Sequence, residues 1–294
     1  MSTMPEPIQQ TFADLPRACL AAHILALEYR QPGTKKGLVM KTILALLLLS
    51  PMASLAQSPF DGTWIIDTST NQLPQKLTLY SLAKGQFRGP HWATSVKADG
   101  NDQQVPANGY WDTISVRIVD DHTVEIIYKK AGKIMFNEVN TVSSDGNTLT
   151  QVVKDTTEAE AVTIETYSKR VGEQLADSHA ISGSWQVVRV KRSENSSIIS
   201  YKRTADGFSA ETPLGEKFDA KFDGKFYPVE DDPGHTMVSL RLINANTVEQ
   251  TGKRDGKIIS VMTLTVAPDG KSIHVVRENK EDNTTGSFEM RKKP

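Results

Sequence analysis

The second half of this chain repeats the first. Residues 115–146 read SVRIVDDHTVEIIYKKAGKIMFNEVNTVSSDG, and residues 239–270 read SLRLINANTVEQTGKRDGKIISVMTLTVAPDG. The two segments align without a gap at an offset of 124, with 13 identities in 32 positions. A repeat of about 120 residues is too long for a solenoid unit, so each copy is predicted to be a domain with its own core.

Each copy has the pattern of consecutive antiparallel strands. Ile114, Val116 and Ile118 alternate with more polar residues, and turn residues follow at 120–122, 131–133 and 144–147. Copy two has turn residues at 244–246, 255–256 and 268–270. Alternation of this kind, broken by Asp-Gly and Asn-Gly pairs, is typical of β-hairpins. The sequence therefore predicts an all-β fold of two tandem antiparallel up-and-down β-barrels with eight to ten strands each. An open sheet or a sandwich is the alternative.

The first 56 residues precede the predicted domains. Met40-Lys41 is followed by the apolar run 42–49, and Ser54-Leu55-Ala56 places small residues before Gln57. This layout predicts a signal peptide over 40–56, with cleavage after Ala56. The apolar run is about half the ~20 residues that a membrane span needs. We therefore expect a periplasmic or extracellular protein with no integral membrane segment in the mature chain, and we interpret 1–39 as a non-native upstream extension.

The mature chain divides at a polar segment without β pattern. The predicted domains are 57–170 and 181–294, joined by a linker at 171–180 that forms a short helical turn or an extended connection. Each domain has close to the commonest domain size. The one cysteine, Cys19, lies upstream of both domains, so the mature chain is predicted to contain no disulfide.

The charge of the mature chain does not favour nucleic acid as a partner. It has 29 basic and 32 acidic residues, and no cluster of basic residues is dense enough for nucleic acid or an anionic membrane. No cofactor is expected. The five histidines of the mature chain lack metal-ligand spacing, so we expect no metal site and scattered surface positions for His91, His122, His179, His235 and His274.

A Gly-x-Trp motif opens each copy, and an arginine lies near its end. Gly62-Thr63-Trp64 recurs as Gly183-Ser184-Trp185, and Arg170 and Arg291 each follow their tryptophan by 106 residues. In these motifs the chain resembles the calycin superfamily, the lipocalins and fatty-acid-binding proteins, and is similar to tandem lipocalin-like secreted bacterial proteins of unassigned function. The resemblance implies a cupped barrel for an apolar ligand. It also implies that Trp64, Arg170, Trp185 and Arg291 are structural, with a basic residue over each indole.

A second recurring pair is Arg117 with Glu125, matched by Arg241 with Glu249. If the intervening turns are short, each pair lies opposed across a hairpin. Because apolar residues occupy the other face, we expect outward salt bridges. An interior arginine that binds a carboxylate is the alternative, and a register slip of one residue would produce it.

The sequence contains no catalytic motif, since it lacks a nucleophile elbow and a phosphate-binding glycine loop. The copies differ most in the aromatic segments before the shared block, which makes Trp92, Trp111 and Tyr227 the candidate ligand-binding residues. We expect a non-enzymatic binding protein for a small lipophilic ligand. The alternatives are a structural or interaction protein of the cell envelope with plugged barrels and, third, an enzyme that uses paired carboxylates or a buried histidine.

Overall fold

The chain folds into two antiparallel, nearly closed sheets of ten strands each. The computed structural model describes residues 58–91, 94–107, 109–157 and 162–294. The predicted all-β class and the two antiparallel barrels are confirmed, and ten strands lie within the expected range. The predicted extension 1–39 and signal peptide 40–56 lie outside the described residues.

Barrel 1 contains nine strands of the first copy and one of the second. Its strands are β2 (Leu77–Ala83), β3 (Gln86–Arg88), β4 (Val96–Lys97), β5 (Asp99–Gln104), β6 (Thr113–Ile118), β7 (Thr123–Lys130), β8 (Lys133–Val142), β9 (Thr148–Asp155), β10 (Val162–Val171) and β11 (Gly183–Arg192). Their spatial order is β4-β3-β2-β11-β10-β9-β8-β7-β6-β5.

Barrel 2 is built in the same way, from nine strands of the second copy and one strand of the first. Its strands are β1 (Gly62–Gln72), β12 (Ile198–Arg203), β13 (Gly207–Glu211), β14 (Lys217–Lys221), β15 (Tyr227–Pro228), β16 (Met237–Asn244), β17 (Thr247–Arg254), β18 (Lys257–Val266), β19 (Ser272–Asn279) and β20 (Thr284–Lys292). Their order is β14-β13-β12-β1-β20-β19-β18-β17-β16-β15, and the bridge between Lys217 and Glu230 helps to close the ring.

The two copies therefore exchange their first strands. Strand β1 pairs with β12 and β20 of the second copy, and β11 pairs with β2 and β10 of the first. The predicted domain segments 57–170 and 181–294 each give nine strands to one barrel and one strand to the other. The segment 171–180, predicted as the linker between the copies, contains the last residue of β10 and most of the connection to β11, which is the neighbouring strand in the same sheet. The chain crosses between the barrels at 73–76 and at 193–197, where Glu194–Ser197 forms a 3₁₀ turn.

The hairpin turns lie where the turn residues predict them. The β7–β8 turn contains Ala131 at φ 47° and Gly132 at φ 80°, and the β17–β18 turn contains Asp255 at φ 48° and Gly256 at φ 78°. Positive φ at both central residues is the conformation that two-residue hairpins need. In the preceding hairpin, across β6 and β7, Arg117 lies directly opposite Glu125.

The predicted outward salt bridges are confirmed. The Nη2 atom of Arg117 lies 2.6 Å from a carboxylate oxygen of Glu125, and that of Arg241 lies 3.0 Å from Glu249. Both arginine side chains are mostly exposed, so each pair lies on the outer surface of its barrel.

The closing tryptophans are buried, and a cation lies over each one. Arg170 of the first copy covers Trp185 of the second, with its guanidinium carbon 4.2 Å from the ring centroid. The resemblance implied that the arginine of the same copy covers each tryptophan, Arg170 over Trp64 and Arg291 over Trp185, and the structure pairs them differently. Over Trp64 the cation is Lys292, at 5.2 Å. The strand exchange places β1 beside β20, where Trp64 pairs with Lys292, whereas Arg291 lies on the other face of β20 and forms an outer ion pair of 2.6 Å with Asp67.

Candidate functional site

The predicted ligand-contact residues lie in different places. Trp111 is 3% exposed inside barrel 1, with its ring centroid 5.0 Å from that of Tyr128. Tyr227 is half-buried on barrel 2, and its hydroxyl donates to Asp223 at 3.0 Å. Trp92 lies outside the described residues. The structure does not bring Trp111 and Tyr227 together, and their ligand role stays a prediction.

Large side chains fill both barrel interiors. Barrel 1 buries Tyr80, Phe87, Trp111, Tyr128 and Trp185 in one cluster, and barrel 2 buries an equivalent set. In barrel 2 the rings of Phe208 and Phe218 lie 6.0 Å apart, and further aromatic contacts surround Phe208. Aromatic packing of this density stabilises each barrel by burial of apolar surface.

A buried carboxylate lies among hydrogen-bond donors inside barrel 1. Glu138 is 1% exposed and accepts hydrogen bonds from the Tyr128 hydroxyl at 2.7 Å, Asn140 at 2.6 Å and Gln151 at 2.7 Å. The same Gln151 amide also donates to the Tyr80 hydroxyl at 3.0 Å. Burial raises the pKa of Glu138 above its ordinary value, although the three hydrogen bonds partly oppose this effect.

The polar cluster belongs to one copy only. At the offset of 124, Glu138, Asn140 and Gln151 correspond to Met262, Leu264 and Val275, which are apolar. Glu138, Asn140 and Gln151 form no recognisable sequence motif, so their spacing alone does not predict this cluster. The sequence signal for the cluster is the difference between the copies at three inward positions, which are polar in copy one and apolar in copy two.

A cavity of about 220 Å³ lies where the two barrels meet. It is bounded by the C-terminal halves of β1 and β11, the crossover after β1, the middle of β10, the end of β19 and the first half of β20. Residues of β2 and of the segment after β3 complete its lining. Its apolar wall is formed by Ile66, Leu73, Pro74, Val187, Val190 and Phe288. This volume exceeds the ~150 Å³ of a cavity that accepts benzene, so the space suits a small organic molecule.

The barrel 1 side of the cavity is polar and buried. Thr166 is 4% exposed, and its Oγ1 atom has no hydrogen-bond partner among the described residues. Thr166 pairs with Gln151 across β9 and β10, so its side chain lies on the same face of the sheet as the Gln151 member of the Glu138 cluster. An unsatisfied buried hydroxyl costs roughly 1–3 kcal/mol, which a polar group in the cavity would recover.

His91 also lines this side of the cavity. It is 7% exposed, which corrects the expectation of a surface position, and its ring stacks edge-on to Trp111 at 6.1 Å. Burial lowers the pKa of His91 to about 3. The imidazole is therefore neutral at physiological pH, and it can act in hydrogen bonding but is a weak base.

Charged residues also line the cavity. Arg192 comes from barrel 1, Arg277 and the buried Asp282 come from barrel 2, and Lys76 comes from the crossover after β1. The Nζ atom of Lys76 lies 4.0 Å from a carboxylate oxygen of Asp282. Arg192 is held on the crossover, where its Nε and Nη2 atoms donate to the Ser196 carbonyl at 3.2 and 3.1 Å.

A second contact fixes the barrels relative to each other. The hydroxyl of Tyr110 donates to Asp232 at 3.0 Å, and the guanidinium of Arg254 lies 4.6 Å from the Tyr110 ring centroid. The backbones touch beside it, because a Cβ atom on Gly109 would lie 2.7 Å from the Cα atom of Gly234. The aromatic segment around Tyr110, which distinguishes copy one, thus packs against copy two. The two barrels that line the cavity are therefore also in contact at this second place.

Comparisons of the chain with family models, curated proteins and solved structures find no match. Within the described ranges, no helix combines the length and the apolar character required to cross a membrane.

Proposed function

We propose that this chain is a non-enzymatic binding protein that holds a small apolar ligand in the cavity between its two barrels. The supporting observation is the ~220 Å³ space with an apolar wall at the junction of the barrels. The barrel interiors are occupied by their own aromatic side chains, whereas this space lies between the barrels and is lined by strands of both. Cavities with mainly apolar walls and a few polar groups are typical ligand sites.

The same proposal includes the lipocalin-like family and an exported location. Two antiparallel barrels with a cation over a first-strand tryptophan support membership of the calycin superfamily. The signal-peptide pattern over 40–56 supports a periplasmic or extracellular location. N-terminal sequencing of the exported protein tests the location, with Gln57 expected as the first residue.

Cavity filling tests the binding site. Val187→Phe places a ring in the cavity, whereas Val188→Phe alters the adjacent residue, whose side chain is 47% exposed. The probe is N-phenyl-1-naphthylamine, a neutral apolar fluorophore. We expect the wild type to bind it, Val187→Phe to lower the affinity by about tenfold or more, and Val188→Phe to leave it unchanged. Thermal melting checks that both variants fold, and equal affinities in all three proteins would contradict the proposed site.

A second candidate function is that of an envelope interaction protein with plugged barrels. The filled interiors favour it, and so does an exposed apolar group on the outer face of barrel 1, where Leu77 is 43% and Leu79 is 61% exposed. Exposed apolar groups of this kind occur at protein interfaces. This candidate predicts that an envelope partner co-purifies with the protein, and that Leu79→Lys abolishes the association while Val187→Phe does not.

A further inference from the structure

The two barrels line the cavity with unlike residues at equivalent positions. Thr166 pairs with Gln151 across β9 and β10, and Phe288 pairs with Val275 across β19 and β20. Gln151 and Val275 are related by the offset of 124 between the copies, so Thr166 and Phe288 hold the same position of the fold. Both residues line the cavity. Barrel 1 therefore has a hydroxyl group where barrel 2 has a phenyl ring.

The same difference continues inside the barrels. The Glu138 cluster of barrel 1 holds the positions that three apolar residues occupy in barrel 2. Within the cluster, the side-chain amide of Gln151 donates to Glu138 at 2.7 Å and to the Tyr80 hydroxyl at 3.0 Å. An amide nitrogen has two N–H groups, so these two acceptors use both of them. The cluster therefore engages the cross-strand neighbour of Thr166 without bonding to the Thr166 hydroxyl.

The Thr166 hydroxyl is a buried polar group in apolar surroundings. Thr166 is 4% exposed, and its Oγ1 atom has no hydrogen-bond partner among the described residues. Its neighbour on β11 is Val190, which also lines the cavity. Buried polar groups in proteins nearly always have a partner, and a hydrogen bond shielded from water is stronger than one in solvent. Rotation of the side chain between staggered positions lets the hydroxyl adjust to a group beside it.

From this arrangement we propose that the cavity binds an apolar molecule that carries one neutral oxygen, as an alcohol or a ketone does, and that Thr166 forms the hydrogen bond to this oxygen. The apolar body would lie against Ile66 and Phe288 of barrel 2, which pack on the core of that barrel. A neutral oxygen matches a neutral hydroxyl without placing a further charge in the cavity. The inference rests on the proposed binding function and adds to it the polar group of the ligand and its orientation.

Two matched ligands test the role of the oxygen. 2-Naphthol and 2-methylnaphthalene have the same rings and nearly the same size, and differ by a hydroxyl in place of a methyl group. Displacement of N-phenyl-1-naphthylamine gives the dissociation constant of each. We expect Thr166→Val, which keeps the shape of the side chain, to shift the ratio of the two constants against 2-naphthol by about fivefold or more. The affinity for 2-methylnaphthalene should stay within about twofold of the wild-type value.

Two further variants serve as controls. Thr166→Ser keeps the hydroxyl and should keep the wild-type ratio within about twofold. Thr163→Val makes the same chemical change on the other face of β10, where the cross-strand partner is the exposed Lys154, and should leave the ratio unchanged. Melting curves without ligand check folding. Thr166→Val should melt at the wild-type temperature or above it, because it removes a buried hydroxyl that has no partner among the described residues.

The outcomes separate this inference from the proposed function. A ratio that Thr166→Val leaves unchanged would overturn the inference, and binding of both ligands that Val187→Phe blocks would still support the cavity as the site. An equal shift of the ratio in Thr163→Val would also overturn the assignment to Thr166. Failure of N-phenyl-1-naphthylamine and of both ligands to bind the wild type would contradict the proposed function itself.

Discussion

The guanidinium of Arg170, from the last strand of the first copy, lies over the indole of Trp185, from the first strand of the second copy. Arg170 also donates to three backbone carbonyls, those of Gly146 at 2.6 Å, Ser182 at 2.7 Å and Ala180 at 2.5 Å. The Trp185 indole nitrogen in turn donates to the Ile181 carbonyl at 2.8 Å. One side chain thus holds the start of β11, the β8–β9 turn and the β10–β11 connection together.

Replacement of this arginine should be costly. Arg170→Ala removes the cation–π contact and leaves three carbonyls without their donor, so we expect the free energy of unfolding to fall by about 2–4 kcal/mol. Arg291→Ala, at the matching sequence position, removes only an exposed ion pair with Asp67 and should cost under about 1 kcal/mol. Chemical denaturation measures both values. Equal losses would contradict the assignment of different roles to these two arginines.

The glycine of the second Gly-x-Trp motif should also resist substitution, because the Arg170 guanidinium lies against it. Gly183 has φ +136°, and a Cβ atom there would lie 2.5 Å from the Nη1 atom of Arg170. We expect Gly183→Ala to destabilise the protein by about 2–4 kcal/mol, from backbone strain and displacement of the guanidinium. Gly132→Ala is the control, since Gly132 also has positive φ but nothing lies within 4 Å, and should cost about 1 kcal/mol. In an Arg170→Ala background the cost of Gly183→Ala should shrink, because the clashing group is gone.

Engineered disulfides should report the strand exchange directly. The hydroxyl oxygens of Thr63 and Ser200 lie 2.9 Å apart, on paired residues of β1 and β12. With Cys19→Ser in both proteins, Thr63→Cys with Ser200→Cys should form an intramolecular disulfide under mild oxidation. Without exchange, Thr63 would lie opposite Leu79, as Ser184 does in barrel 1. The pair Thr63→Cys with Leu79→Cys is therefore the control, and a disulfide in that pair alone would overturn the exchanged topology.

The buried carboxyl of Glu138 should make stability depend on pH. Burial raises its folded-state pKa above the ordinary value of 4.5. Its contribution to stability is therefore complete below pH 4.5 and is lost as the pH rises through the folded-state pKa. Glu138→Gln, which stays neutral, should gain stability relative to the wild type between pH 4 and pH 8, as measured by denaturation at each pH.

Glu125→Gln is the control of opposite sign. The hydrogen bond from Arg117 lowers the pKa of Glu125, so its contribution is present at neutral pH and is lost as the pH falls through the folded-state pKa. A stability difference between the Glu138→Gln variant and the wild type that did not vary with pH would contradict the raised pKa of Glu138.

Local sequence patterns predicted the barrels well because strands and hairpin turns depend on neighbouring residues. The Arg117–Glu125 register followed from the turn length alone. The exchange of first strands could not be predicted in this way. The strands that start at Gly62 and Gly183 have the same motif and the same flanking pattern. Each could therefore pair with the neighbouring strands of either barrel.

The candidate site was less predictable than the fold. Its apolar wall joins β1, β11 and β20, whose contact depends on the exchange, so no spacing in the sequence indicates it. Lys292, and not Arg170 of the same copy, lies over Trp64 for a related reason: the exchange places β1 beside β20, and the register there turns Lys292 towards the indole and Arg291 away from it. Glu138 was visible in the sequence, but its burial became evident only once the strand β8 had been placed.

The exchanged strands also make the two repeats depend on each other. Each copy gives its first strand to the other and receives one in return, so the pairing is reciprocal and closed, as in a twofold assembly. In the observed pairing, each barrel takes the strand between β2 and β10, or between β12 and β20, from the other copy. Neither half of the chain therefore completes the observed barrel by itself, and the two copies are expected to unfold as one unit.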